Sequence, residues 1–456
     1  MHAKLQKQIK NARGPLALEY SKNHSNTTRS KIYKKGCHKL HCQHLDKVLA
    51  VDIERKRVVV QPRVNMEKLV RSSLRHGLIP LVVPEFKGIT VGGAIMGAAA
   101  ESTSHHSGIF HDSCARVALI DGTGHIVHAS RTENAPLFYG ISGSYGSLGF
   151  LIEAEIDLME AKPSVLLRYY PFQDPHEGLH KMESLMGNTC FLDGILFSDH
   201  HGVIMAGEMI SGHSSKPYSN WFAAHAQTIT QYKEEKIPLF EYLFRYDQGA
   251  FWMGSLLFSL PFLKRYVLEG LLKQGSSQPF FSQRELSLFK QVSYPGPFAR
   301  FITQPFMNSQ SLWGLLHRAE HWIQDRLIIQ DCCIPTSKAH LFLNEILQQP
   351  ALYPIWLCPL KGTQTPQIFA PHYGNPSYIN FGIYGLPATA SPMENLIRCL
   401  EKLTQSHVGR KVLYSRSYYS EEEFWKIYPR QEYESLRSHM KAEGIWRGLT
   451  EKVLSI

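Results

Sequence analysis

The sequence predicts an α+β protein of more than one domain, and three observations carry the prediction. Its 456 residues exceed the ~100–200 of an ordinary single domain. The first third reads as strands, a helix, a hairpin and a long alternating strand rather than as repeated strand–helix units. No glycine fingerprint opens a doubly wound dinucleotide fold, since Gly143, Gly146 and Gly149 do not form GxGxxG.

The elements follow in chain order. MHAKLQKQIKNARG lacks the apolar core of a signal peptide, so a cytoplasmic protein is expected. Leu16 to Lys35 is polar and reads as a loop after a short strand. CHKLHCQH, Cys37 to His44, offers five sulfur and imidazole ligands, but its spacing matches no zinc pattern and no second ligand pair follows, so no metal is expected. Val48 to Ile53 and Arg57 to Gln61 read as strands. Asn65 to His76 reads as a helix with Asn65 as cap, Met66, Leu69, Val70 and Leu74 on one face, and Gly77 as terminator.

Thr90 to Gly108, TVGGAIMGAAAESTSHHSG, is the stretch richest in chemistry. Gly92 and Gly93 have the backbone freedom to aim their amides at a pyrophosphate. Ala94, Gly97, Ala98, Ala99 and Ala100 leave a bare groove for a flat ring, and Ser102, Thr103, Ser104, His105 and His106 supply polar atoms. A Gly/Ala run serves equally as a close-packing surface. Ala115 to Asp121 and His125 to Ala129 then form a hairpin, and Leu148 to Leu158 a half-buried strand.

Beyond it, Val165 to Tyr170, Gly194 to Phe197 and Val203 to Met209 read as strands. Trp221 to Gln274 is aromatic with basic punctuation, suited to lining a hydrophobic pocket, to resting on a membrane, or to a buried helix pair. Its most apolar window, Gln248 to Leu263, falls short of the ~20 residues a bilayer crossing needs. The net charge of +10 suits a dinucleotide or an anionic membrane, and no nucleic-acid motif is present. With 43% apolar and 19% charged residues, sizeable cores are expected and global disorder is not. Eight cysteines in so long a chain are expected to be free thiols.

The run from VPEFKGITVGGAIMGAAAESTSHHSGIFHD through DGTGHIV, RTENAPLFYG and GSYGSLGFLIEAEIDLMEAKP resembles the flavin-binding half of the sterol side-chain reductases. These are the delta-24 sterol reductases and the related plant cell-elongation proteins of the vanillyl-alcohol-oxidase class. LYPIWLCPL, YINFGIYGLP and VLYSRSYYSEEEFWKIY resemble the substrate half in the same order.

The resemblance implies a PCMH-type FAD-binding domain of two α+β subdomains over residues 1–162, followed by an α+β substrate domain over 163–456 with a helical C-terminal segment. It implies noncovalent FAD along Thr90, Val91, Gly92, Gly93, Ala94, Ile95, Met96, Gly97, Ala98, Ala99, Ala100, Glu101, Ser102, Ser104, His105 and Gly108. Gly146, Gly149 and Ile152 would close the other side. Ser25, Asn26, Thr27 and Arg29 would replace a glycine-rich pyrophosphate loop that this chain lacks. A covalent link through His105, His106 or His111 stays open.

The implied reaction is NADPH-dependent reduction of the 24,25 side-chain double bond of a sterol or similar isoprenoid lipid. Tyr384, Tyr414 and Tyr246 lead the candidate proton donors, with Tyr418 and His105 behind them; Arg245, Lys361 and Arg416 would meet NADPH phosphates. Eukaryotic relatives carry an N-terminal membrane anchor, and this chain begins without one, so at most peripheral membrane contact is expected. An alcohol or hydroxy-acid dehydrogenase of the same fold, and a noncatalytic flavin- or lipid-binding protein, are the alternatives.

Overall fold

The computed structural model describes residues 2–18, 27–29, 31–214, 221–253, 297–304, 306–318, 327–349, 352–365, 368–385, 387 and 392–455. They form two compact units: 1–161 with 360–378 and 410–456, and 162–359 with 379–409. The expected division placed everything after residue 162 in one C-terminal domain. Instead, two later segments return to the first unit, because backbone bonds and close packing tie them there. Leu16 N donates to Ile445 O at 2.8 Å, and Gly122 N to Met440 O at 2.9 Å. A Cβ on Gly122 would lie 1.6 Å from Lys441 O, so only glycine admits that approach.

In the first unit, β1 (Leu16–Leu18) pairs in parallel with β2 (His38–Leu40), so part of the Cys37–His44 stretch is a strand. An amphipathic helix, Ala3–Lys10, buries Leu5 and Ile9, an element the reading of the N-terminus passed over. The main sheet has the order β3 (Val48–Asp52), β4 (Arg57–Val60), β8 (Phe150–Glu160), β6 (Cys114–Ile120), β7 (Ile126–Ser130), and β5 (Leu78–Pro80) pairs with the far end of β8. Along β8, Ala154, Ile156 and Leu158 face the core, while Glu155 and Asp157 take the cross-strand guanidinium of Arg57.

Local chemistry accounts for the elements between. The Asn65 carboxamide accepts from Lys68 N at the start of helix Met66–Leu74, and Gly77, at φ +69°, ends the turn that follows it. The Asp121 carboxylate accepts from Thr123 N and His125 N and so winds the β6–β7 hairpin.

In the second unit the sheet runs β12 (Lys233–Pro238), β9 (Ser164–Phe172), β11 (His201–Ile210), β10 (Phe191–Ser198), β14 (Ile355–Lys361), β15 (Ser377–Gly385), β13 (Ile328–Pro335). Both β10 and β13 are buried along their whole length, which requires cover on both faces. Helix Pro175–Leu185 packs on β9, β10 and β11, and helices Thr336–Leu347 and Met393–Ser406 pack on β13. The aromatic segment adds Phe222 against Tyr169, Tyr242 against Phe191 and Trp252 stacked on Tyr384. Its described part, 221–253, thus turns most of its aromatic side chains into the protein, with Tyr232 exposed; residues 254–274 lie outside the described residues. Among the described residues no helix is long and apolar enough to cross a membrane.

Candidate functional site

The glycine stretch folds as a short helix, Val91–Met96, capped by the Thr90 hydroxyl. Its first amides are already spent. Val91 N donates to Val64 O, Gly92 N to Pro62 O at 2.8 Å, Gly93 N to Thr90 Oγ1 at 3.2 Å and Ala94 N to Thr90 O. Gly92 also presses on Pro62, where a Cβ would come within 2.9 Å. The expected phosphate cradle at Gly92 and Gly93 is therefore corrected: these amides close the helix onto its own neighbours. Val91, Ala94, Ile95 and Ala98 are core residues. Gly93, Met96, Gly97, Ala99 and Ala100 stay accessible as a stripe of mostly small residues.

The stretch Glu101 to His105 is wound on itself. The Glu101 carboxylate accepts from Ser102 N, Ser104 Oγ accepts from Glu101 N, and His105 Nδ1 donates to Ser102 O at 2.9 Å. Gly108, at φ +75°, leaves the room that the Asp112 carboxylate fills as it binds Ile109 N and His372 Nε2. Of the histidines considered for a flavin link, His106 is exposed and paired with Ser107, and His111 is fully buried against Phe138. Burial holds His111 neutral, with its pKa lowered to about 4.

Positive charge gathers at the loop that follows helix Ala135–Gly140. Gly143, Tyr145 and Gly146 all have positive φ (74°, 51° and 72°). The Arg29 guanidinium lies over the Tyr145 ring at 4.1 Å and donates to Lys452 O at 3.1 Å and Thr27 Oγ1 at 3.0 Å. Lys452 Nζ donates to Tyr145 O at 3.1 Å and Gly146 O at 2.8 Å. Carbonyls do not neutralise an ammonium, and among the described residues neither cation has a carboxylate partner. Burial first, then the nearby Arg29, Arg437 and Lys34 charges, lower the Lys452 pKa to about 7. The hydroxyls of Thr103, Ser142 and Ser144, in and beside this loop and the glycine stretch, are buried without a hydrogen-bond partner.

Uncompensated cations, orphan hydroxyls and a small-residue stripe fit a dinucleotide whose pyrophosphate meets the cations and whose ring lies on the stripe. Arg29, a candidate from the sequence, lies in this set. Gly146 adjoins it, whereas Gly149 fits against Ile120 O and Ile152 is a core residue of β8. Lys452 and Tyr145 escaped the sequence reading, because nothing in EKVLSI marks a lysine that reaches a loop three hundred residues away.

Two of the buried carboxylates in the second unit, Asp193 and Asp331, hold candidate tyrosines. Asp193 Oδ2 accepts from Arg245 Nη2 at 2.8 Å, Tyr246 OH at 2.6 Å and Trp356 Nε1 at 3.2 Å. Arg245 is thus internally paired, which corrects its expected role on an NADPH phosphate, and the Tyr246 hydroxyl is committed to the same carboxylate. Asp331 Oδ1 accepts from Tyr384 OH at 2.9 Å and Asn380 Nδ2 at 2.6 Å, with Trp252 and Phe251 against the Tyr384 ring. Tyr414 and Tyr418 lie in the first unit; the Tyr414 carbonyl accepts the Thr27 hydroxyl, and Tyr418 OH accepts from Arg416. Lys361 is exposed.

The mixed helix-and-sheet fold carries a PCMH-type FAD-binding domain, and residues 17–130 match the family model described as FAD binding domain. The protein is accordingly an FAD-binding oxidoreductase. It belongs to the Delta(24)-sterol reductase family: the chain is 31% identical to the Delta(24)-sterol reductase of Macaca fascicularis over 436 residues, covering 92% of this chain and 78% of that protein. The Homo sapiens enzyme of that name is likewise 31% identical over 438 residues, with the same coverage. The Arabidopsis thaliana one is 27% identical, covering 89% of this chain and 74% of the plant protein.

A pyrophosphate held at this cluster would favour the charged form of Lys452 and so raise a pKa that burial lowers to about 7. Between these two pKa values binding takes up a proton. The FAD dissociation constant is expected to rise by up to about tenfold per pH unit above 7 and to be independent of this group below 7. Lys452→Met should weaken FAD about tenfold or more at pH 7 and abolish the slope. Fluorescence titration of the apoprotein across pH reads both, and a slope unchanged in the variant excludes Lys452 from the cofactor site.

Proposed function

We propose that the protein reduces the 24,25 side-chain double bond of a sterol or a similar isoprenoid lipid, with NADPH as electron donor. The observation that carries this reading is an alignment spanning 92% of the chain with enzymes named Delta(24)-sterol reductase. The net reaction adds a hydride to one alkene carbon and a proton to the other, converting NADPH to NADP+.

FAD, when bound, supplies the hydride chemistry. Arg29 and Lys452 bind its pyrophosphate, and the stripe Gly93, Met96, Gly97, Ala99 and Ala100 orients its ring. An isolated alkene is a poor hydride acceptor, so a placed proton and a dry pocket matter more than an oxyanion site. Tyr384 is the proposed donor: its Oη is hydrogen-bonded to Asp331, and the rings of Trp252 and Phe251 exclude water around it. Exposed Phe298, Phe301, Ile302 and Phe306 support peripheral contact with a membrane that holds such a lipid.

The reading is tested by anaerobic stopped-flow absorbance of flavin-loaded protein. NADPH is expected to bleach the flavin, and a sterol with the side-chain double bond to restore its colour. Bleaching by an alcohol or hydroxy acid but not by NADPH would make the protein a dehydrogenase of the same fold; failure to take up flavin would overturn the enzymatic reading.

A further inference from the structure

The helices Pro175–Leu185 and Thr336–Leu347 bring together side chains that neither cofactor binding nor the proposed reaction uses. His176, His180 and Glu183 recur at helical spacing on the first, and His340 and Asn344 on the second. The His176 and His340 rings stack with centroids 5.2 Å apart, and His180 and His340 stand at 4.2 Å.

A chain of hydrogen bonds sets the tautomers. Asn344 Oδ1 lies 2.7 Å from His176 Nε2, and His176 Nδ1 lies 2.9 Å from His340 Nδ1. An amide oxygen only accepts, so His176 carries its proton on Nε2 and, when neutral, accepts at Nδ1; His340 must then donate from Nδ1. That leaves the His340 lone pair on Nε2, a buried atom without a hydrogen-bond partner. It faces Glu183 Oε1 at 3.6 Å, and Glu183 Oε2 is 3.6 Å from His180 Nδ1. Ligand atoms of all three residues lie within 4.8 Å of one another. Opposed acceptors are stabilised by a cation between them, and zinc bonds of ~2.0–2.2 Å to nitrogen and oxygen span tetrahedral edges of roughly 3.3–3.6 Å.

We propose that His180, Glu183 and His340 bind a divalent transition-metal ion of the zinc class, with His176 and Asn344 positioning the His340 ring. Imidazole and carboxylate are the ligand types this class takes. The His180 side chain is 69% exposed, so water reaches the fourth position. The ion would clip the two helices together. The Cys37 to His44 stretch, the metal candidate in the sequence, contributes no residue to this group.

The flavin-loaded full chain, stripped of metal by a chelator, is titrated with Co2+ and then Zn2+. One equivalent of cobalt with a tetrahedral visible spectrum, no thiolate charge-transfer band, and displacement by zinc is expected. His340→Gln and Glu183→Gln should each remove stoichiometric binding while circular dichroism stays unchanged. His176→Ala should weaken it about 10–100-fold, as loss of an orienting partner does. Glu183→Gln, isosteric with the residue it replaces, keeps the test open should His340→Gln misfold. Absence of stoichiometric binding, binding indifferent to both ligand variants, or a thiolate band lost in Cys37→Ser overturns the proposal.

Discussion

Asp193→Ala is expected to destabilise the protein by about 3–5 kcal/mol, because it leaves a buried guanidinium without its counter-charge. The Asp193 and Arg245 side chains are 0% and 1% exposed, and two further donors, Tyr246 OH and Trp356 Nε1, lose their acceptor at once. Removing both charges is a different perturbation. An Asp193→Leu/Arg245→Met double variant should recover most of the loss, since a buried ion pair often replaces well by apolar residues of similar size. Urea denaturation of the single and double variants measures the coupling. Equal, additive losses would show that the pair is held by its separate neighbours.

Tyr384→Phe is expected to slow the return of flavin colour on adding sterol by about 10²–10⁴-fold while leaving FAD affinity and bleaching by NADPH unchanged. The substitution removes one hydroxyl and keeps the ring stacked on Trp252, so packing changes little. Asp331→Asn keeps a hydrogen-bond acceptor for Tyr384 and Asn380 but removes the charge, and should shift the pH profile of the same step. Single-turnover stopped-flow separates the half-reactions. A Tyr384→Phe variant reoxidised at the wild-type rate would transfer the proton donor's role elsewhere.

Several elements were legible because their causes lie within a few residues. Asn65 three residues before Lys68, Gly77 at the helix end, and Asp121 folding its own hairpin are contacts that spacing alone predicts. The alternation of β8 was equally readable, since one face of a strand meets the core. The helix Ala3–Lys10 was overlooked because Leu5 and Ile9 are too few to stand out against its lysines.

The glycine stretch was found by composition, but the state of its first amides was not readable there. Whether a helix-terminal amide is free for an anion depends on what packs against it. Here Pro62 O and Val64 O, from a separate turn, take the Gly92 and Val91 amides.

The amino-acid sequence thus determined the α+β class, the PCMH-type cofactor domain and the family, because periodicity, caps and motif wording are local or linear properties. Only the tertiary structure decided which polar groups meet: Lys452 with Tyr145 and Gly146, Arg245 with Asp193, Tyr384 with Asp331, and His340 with Glu183. Each pair joins residues far apart in the chain. Their meeting depends on how sheets stack and on which charges burial leaves without a partner, a balance that spacing along the chain does not encode.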